Sequence, residues 1–196
     1  MAAQATADRI VDAVVEQFHA KWFDEIRLDD VAREAGVTIQ TLIRRFGGKE
    51  GLLGAMHERL DKTTRARRDV APGDAAAIVD ALIENYEEVG ALFIRMLAQE
   101  DRYAAIKALT DIGRGEHRAW MANAFAPWLA GLSPDDRRRT IDTLVVAGDV
   151  YVWKLVRNDM KRPVAVYRAI MESLCAAAFG LAPEKMFRRS GTRGKT

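Results

Sequence analysis

Apolar residues recur every three or four positions along almost the whole chain, and the strict alternation of a half-buried strand is nearly absent. That period makes all-α the expected fold class. It is interrupted most sharply between residues 28 and 50, where LDDVAREA and TIQTLIRRF, two very short helical segments, are separated by Gly36-Val37. Alone, helices of this length are marginal in water, so neighbours must hold them. Asp29 and Asp30 suit the positive end of the first helix, Gly36 suits its left-handed stop, and Thr38 suits the cap of the next. Gly47 and Gly48 then end the second segment.

Around this pair, helices are expected over residues 5–21, with Ile10, Val14, Val15 and Phe18 as its stripe, and from Lys49 to about Arg68. DVAPGD, residues 69–74, is the clearest break, because Pro-Gly marks a turn. Further helices are expected over 75–99, 102–109 and 112–130, with glycines 90, 113 and 115 and Pro127 among their boundaries. Ser133 caps, and Pro134 opens, a long helix to about 158, and a last one covers 163–181. This gives a small N-terminal unit over 1–48, a helical body over 49–182 and a basic flexible tail over 183–196.

Composition narrows the function classes. The chain has 196 residues, 49% hydrophobic and 30% charged, enough for one or two domains with a real core. Its single cysteine, Cys175, excludes an intramolecular disulfide and a cysteine-based zinc site. No apolar run approaches the roughly 20 residues needed to span a bilayer, and residues 1–8 lack the regions of a secretory signal, so a cytoplasmic protein without a membrane partner is expected. Residues 1–50 hold seven basic against nine acidic side chains. Nucleic-acid binding there must come from a local patch, not from total charge.

Two short helices joined by a tight glycine turn make a helix-turn-helix, whose second helix can enter the major groove. At about 100° per residue, Ile39, Leu42, Ile43 and Phe46 fall on one side, and Gln40, Thr41 and Arg44 on the other. The apolar side is expected to anchor and the polar side to read. VAREAGVTIQTLIRRFGGKEGLL, residues 31–53, resembles the DNA-binding domain of the TetR family of transcriptional regulators. Ala35-Gly36-Val37-Thr38, Thr41-Leu42, Phe46 and Lys49-Glu50 with Leu52 fall in register with the family pattern, while the body fits in length and helix order only. Three positions depart from it: Arg27 replaces the usual Ser or Thr cap, Ile43 replaces a phosphate-touching tyrosine, and Ile39 stands where a Lys or small polar residue is common.

The resemblance implies a dimeric regulator of double-stranded DNA with a palindromic operator, most simply a repressor released by a small, largely apolar effector. Expected DNA-binding residues are Thr38, Ile39, Gln40, Thr41, Arg44, Arg45 and Lys49. Ile39 suits either a thymine methyl or plain packing. Lys49 is expected at a phosphate, where its ammonium joins the unsatisfied N–H groups of a helix start. The other cations of that helix, Arg59, Lys62, Arg65, Arg67 and Arg68, read as a solvated face.

A mostly apolar effector site calls for aromatic and methionine side chains with a few polar groups. Met56, Leu60, Leu82, Tyr86, Phe93, Met96, Leu97, Trp120, Asn123, Phe125, Trp128 and Trp153 are the candidates, each equally able to be plain core. Asn85 and Asn123 are the telling amides, since a buried amide needs partners. Leu144, Gly148, Tyr151, Val152 and Leu155, with Ile170, Leu174 and Ala177, recur at helical spacing and are expected to form a dimer interface of two helices per subunit. Asp149, inside the apolar run LVVAGDVYVW, must be paired or bind an effector.

Enzymatic chemistry finds little support. His19, His57 and His117 are scattered, Cys175 sits in an alanine-rich apolar helix, and no glycine-rich phosphate loop is present. No cofactor, metal or catalytic residue is expected. The alternative is an all-helical ligand-binding or catalytic protein that has lost DNA reading.

Overall fold

A computed structural model describes residues 2–187, and every regular element among them is helical. The order is α1 (Ala2–Ala20), a 3-10 turn (Phe23–Glu25), α2 (Leu28–Glu34), α3 (Ile39–Phe46), α4 (Lys49–Arg67), α5 (Ala75–Leu97) and α6 (Ala104–Ala124). Then come α7 (Ala126–Leu129), α8 (Pro134–Ala147), α9 (Val150–Trp153), a π-helical segment (Lys154–Asp159), α10 (Val164–Ala177) and α11 (Pro183–Met186). No helix among the described residues is long and apolar enough to cross a membrane.

The chain forms two compact units, Met1–Ala66 with Ala91–Gly113, and Arg67–Gly90 with Arg114–Thr196. The division therefore runs along different residues from the expected 1–48 and 49–182. Most of α4 joins the N-terminal unit, with Leu52, Leu53 and Met56 buried. Pro183–Met186, the first part of the expected flexible tail, instead forms α11 and buries Met186. Residues 188–196 of that tail lie outside the described residues.

In the first unit, α1 packs on α2 and α2 on α3. Ile10, Val14 and Phe18 meet a core that includes Ile26, Val31, Ala32 and Leu42, all buried. Polar clamps fix the register: Arg9 Nε donates to the Ala35 carbonyl at 3.1 Å, and Gln17 Nε2 to Glu34 Oε1 at 2.9 Å. Gly36 turns the chain at φ +67°, a left-handed conformation that favours glycine.

In the second unit, α8 packs on α10 and α10 on α11. Gly90 is where the Trp153 indole lies against α5: a Cβ there would come within 2.8 Å of the ring. Glu87 accepts a bidentate pair from Arg157, both bonds 2.7 Å, and a third bond from Trp153 Nε1 at 2.7 Å. Arg157 beside it holds the Glu87 carboxyl below the usual range. This triad pins the π-helical segment, where the Met160 N–H reaches back to the Leu155 carbonyl.

Two helix boundaries differ from expectation. The segments expected over 102–109 and 112–130 are largely one helix, α6, because Gly113 and Gly115 stay helical and cost only propensity. The long helix expected to residue 158 instead breaks at Gly148-Asp149. Gly148 caps α8, and the Asp149 carboxylate accepts the Tyr151 N–H at 2.8 Å to start α9. Asp149 is thus an N-cap within its own chain. Burial raises its pKa, and both the bond to Tyr151 and the charge of Arg114 work against that rise.

Candidate functional site

α3 is short, strongly amphipathic and capped at both ends. The Thr38 hydroxyl accepts the Thr41 N–H at 3.2 Å and lies 3.0 Å from the Thr41 hydroxyl. Gly47, at φ +77°, closes the C-terminal end with its N–H on the Ile43 carbonyl. The expected anchor stripe is narrower than its spacing suggests. Only Leu42 is fully buried, Ile39 and Phe46 are half-buried, and Ile43 is 45% exposed. Ile43 therefore does not anchor the helix; it joins the open face with Gln40 and Arg44, and Arg45 is exposed beside it. The physical reason is geometric: α1 and α2 cover an arc wide enough for Leu42 and the flanks of Ile39 and Phe46, and Ile43 falls beyond its edge.

Charge pairing separates this face from its surroundings. Arg33 pairs with Asp30 at 2.6 Å, Lys21 with the same carboxylate at 3.4 Å, and Arg59 with Asp12. Arg33, with Lys21, keeps the Asp30 carboxyl below its ordinary pKa. Arg44 and Arg45 have no acidic partner among the described residues, and α3 itself contains no acid. Two unpaired guanidinium groups on an exposed helix, with an amide beside them, can bond base edges and phosphates.

The expected phosphate contact at Lys49 meets a different arrangement. Its ammonium donates to the Phe23 carbonyl at 2.8 Å and to the Asp24 carbonyl at 3.1 Å, and lies 5.2 Å from the Phe23 ring centroid. Burial lowers its pKa, partly offset by Asp24. Two of its three N–H donors thus brace the turn before α2. Phe23 is held from another side: its N–H donates to Gln99 Oε1 at 2.7 Å, and its ring meets Tyr103 edge-on.

The expected effector residues fall into both units. Met56, Leu60, Phe93, Met96 and Leu97 belong to the first, and Leu82, Tyr86, Trp120, Asn123, Phe125, Trp128 and Trp153 to the second. Most are buried or half-buried, but Asn123 is exposed, because it falls on the solvent side of α6. It is not a buried amide. Phe125 and Trp128 both pack on Phe179, and Trp128 Nε1 donates to the Gly73 carbonyl at 2.9 Å, which makes them core of their own unit. Among the buried polar groups that the spacing argument did not single out are Gln99, His117 and the Tyr167 hydroxyl. Among the helix-four cations read as a solvated face, Arg67 pairs with Glu88 and Arg68 stacks on Trp120 at 4.9 Å.

The expected dimer residues split by face. Tyr151 and Leu155 are each 52% exposed, Leu174 and Ala177 are exposed, and Val152 and Ile170 are half-buried. Leu144 and Gly148 point inward instead. Leu144 is fully buried, and a Cβ on Gly148 would come within 3.0 Å of Met121 Cε and 3.1 Å of Leu82 Cδ1. The break at Asp149 changes the helical phase, so residues before it do not continue the face of those after it. Val166, on the expected stripe of the last helix, is exposed, and so is Val146, an apolar residue of the same unit that the spacing argument left out.

The α1–α3 arrangement is a helix-turn-helix, and the whole chain is helical among the described residues. Residues 10–56 match the family model described as bacterial regulatory proteins, tetR family. Among solved structures, a tetR-family transcriptional regulator from Streptomyces coelicolor is similar at a TM-score of 0.69 and 15% identity, covering 89% of this chain and 80% of that one. A comparison with curated proteins finds no match. The resemblance carried by residues 31–53 therefore holds for the N-terminal sequence and for the fold.

Proposed function

We propose that the protein is a sequence-specific transcriptional repressor that grips a palindromic operator as a homodimer and releases it when a small, largely apolar molecule binds the helical body. The observation that carries DNA reading is the open face of α3, where Gln40, Ile43, Arg44 and Arg45 are exposed and the two arginines have no acidic partner among the described residues. Gln40 and Arg44 can bond adenine and guanine edges in pairs, each worth roughly 1–3 kcal/mol of discrimination. Ile43, at the place of a polar phosphate contact, offers a thymine methyl an apolar surface.

Dimerisation is supported by an apolar strip on the second unit. Tyr151, Leu155, Val166 and Leu174 are exposed there, and a shallow groove between Ala165 and Leu174 is lined almost wholly by apolar atoms. Exposed apolar surface of this kind marks an association site. Two copies joined there would present two α3 helices to successive major grooves, about 34–36 Å apart or a multiple of that spacing.

Binding-site selection from random duplexes is the test. Wild type is expected to select a palindrome, and Arg44→Ala to relax preference at one base pair in each half-site. A wild type that selects no sequence would sink DNA reading altogether. An Arg44→Ala protein with unchanged preference would displace the reading role from Arg44.

A further inference from the structure

Not all buried polar groups of the second unit are bonded: Arg68 Nε, both His117 ring nitrogens and the Tyr167 hydroxyl are among those left over. Arg68 lies just past α4 with its guanidinium over the Trp120 ring, 4.9 Å from the centroid, while Trp120 Nε1 donates to the Arg68 carbonyl at 2.9 Å. The pair is therefore held side by side. Arg68 Nε is buried without a hydrogen-bond partner, and no carboxylate among the described residues pairs with the guanidinium. Three residues before Trp120 on α6 stands His117, 7% exposed, neither ring nitrogen of which makes a well-formed hydrogen bond; the Val145 backbone is its nearest polar neighbour.

The far side of this group is equally defined. Tyr86 donates its hydroxyl to the Gly148 carbonyl at 2.9 Å, and its oxygen accepts a hydrogen bond from the Arg68 side chain. Met121, one turn beyond His117, is the residue that closes on Gly148. Tyr167, fully buried near Tyr86 and Asp149, has a hydroxyl with no partner. Buried polar atoms are bonded in the great majority of cases, and a half-buried guanidinium without an anion is rarer still.

We propose that Arg68, His117 and Tyr167 receive the carboxylate of a monoanionic effector whose apolar body lies against Trp120 and the neighbouring core. This rests on the reading of the body as an effector site and names the effector's chemical class. The guanidinium fork matches a planar carboxylate in two parallel bonds. A tyrosine hydroxyl and an imidazole N–H supply the further donors that a buried carboxylate needs. A dianion fits worse, because Arg68 brings a single positive charge. Glu87 already occupies Arg157, and Asp149 adds negative charge nearby.

Calorimetric titration of the full chain with benzoate, phenylacetate and decanoate, each against its uncharged primary amide, tests this. At least one carboxylate is expected to bind, with its amide about ten- to a hundredfold weaker. Arg68→Met, which keeps the stem, should abolish that preference. Tyr167→Phe should weaken the carboxylate several-fold yet leave the Tm of the free protein unchanged or raised, since it removes an unbonded hydroxyl. Should Arg68→Met fail to fold, Arg68→Lys takes its place: a point charge without the fork should bind roughly tenfold more weakly, and equal affinity overturns the proposal. So does an amide that binds as tightly as its acid, or the absence of binding by every acid. Affinity for the selected operator, measured in the same samples, separates the two levels. Arg68-dependent carboxylate binding without operator release upholds the receptor and defeats the switch; loss of the receptor with operator binding intact leaves DNA reading standing.

Discussion

Each unit of this protein contains a cluster of polar groups, and the two differ in how far they are bonded, although Arg95 Nε and the Tyr103 hydroxyl leave gaps in the first. In the first unit, Gln99 is fully buried and uses both ends of its amide: Oε1 accepts the Phe23 N–H at 2.7 Å, and Nε2 donates to the Arg95 carbonyl at 3.1 Å. Lys49 adds two bonds to the same turn, and Arg102 pairs with Asp24 at 2.8 Å. In the second unit, Arg68 Nε, both His117 nitrogens and the Tyr167 hydroxyl are buried without well-formed bonds. A satisfied polar network rigidifies and fixes one geometry; an unsatisfied one waits for a partner. The first cluster holds the turn ahead of α2 and α3 in place, and the second has the composition of a receptor.

The contrast is sharpest in its response to pH. Burial, with Arg68 nearby, lowers the His117 pKa from 6.5 to about 4. Between these values the unfolded chain binds the proton and the folded chain does not, so stability falls as pH drops from 6.5 to 4 and levels off below. The loss is on the order of 3 kcal/mol. Asp149 acts the other way, since burial raises its carboxyl, and Glu87, held low by Arg157, contributes only at more acid pH. Denaturant titrations at pH 7 and pH 4.5 should show the loss, and His117→Gln should remove most of the difference. An identical pH slope in the variant would mean that His117 is not the titrating group.

Next in size is deletion of the brace. Gln99→Leu keeps bulk but leaves the Phe23 N–H and the Arg95 carbonyl without partners, a cost of about 1–3 kcal/mol. Tyr167→Phe, the matching deletion in the second unit, should be neutral or stabilising because no bond is lost. Thermal unfolding of the two variants side by side checks the contrast, and equal destabilisation would erase it. Lys49→Met is expected to destabilise by a smaller amount, roughly 1 kcal/mol, and to weaken binding to all duplexes alike through a less ordered α2–α3. Hydrogen exchange at residues 22–26 separates the two roles of Lys49. Faster exchange marks a brace, whereas unchanged exchange with weaker DNA binding restores the phosphate contact.

The smallest change in fold stability, with the largest change in assembly, is expected on the exposed strip. Leu155→Glu should leave the monomer fold within about 0.5 kcal/mol of wild type and shift sedimentation from dimer to monomer. Gly148→Glu would instead disrupt the unit itself, because its Cβ points at Met121 and Leu82. A dimer that survives Leu155→Glu would move the interface elsewhere.

The comparison also shows how far the sequence could be read. Local chemistry placed the short helices and their caps: Thr38 at the start of α3, left-handed Gly36 and Gly47 at the stops, and Ser133 before α8. These depend on neighbours within four residues, and the residue types state them directly. The motif around residues 35–52 carried the α1–α3 arrangement for a similar reason, since a tight glycine turn between two short helices allows few packings.

Direction and partnership were not legible in this way. Ile43 and Leu42 are adjacent apolar residues of one helix, and only the arc covered by α1 and α2 leaves one exposed and buries the other. Gly148 and Tyr151 share a helical spacing in the sequence, yet the Asp149 cap breaks that helix and turns one inward and the other outward. Lys49 is a plain first-turn lysine until Phe23 and Asp24, 26 and 25 positions earlier in the chain, bring their carbonyls to it. Arg68, His117 and Tyr167 carry no spacing signal at all, because they come from three separate segments. Periodicity reports which residues share a face of one helix, and caps report where that helix ends. Which neighbour a face meets, and whether a buried polar atom finds a partner, depends on contacts far apart in the chain, and those exist only once the chain has packed.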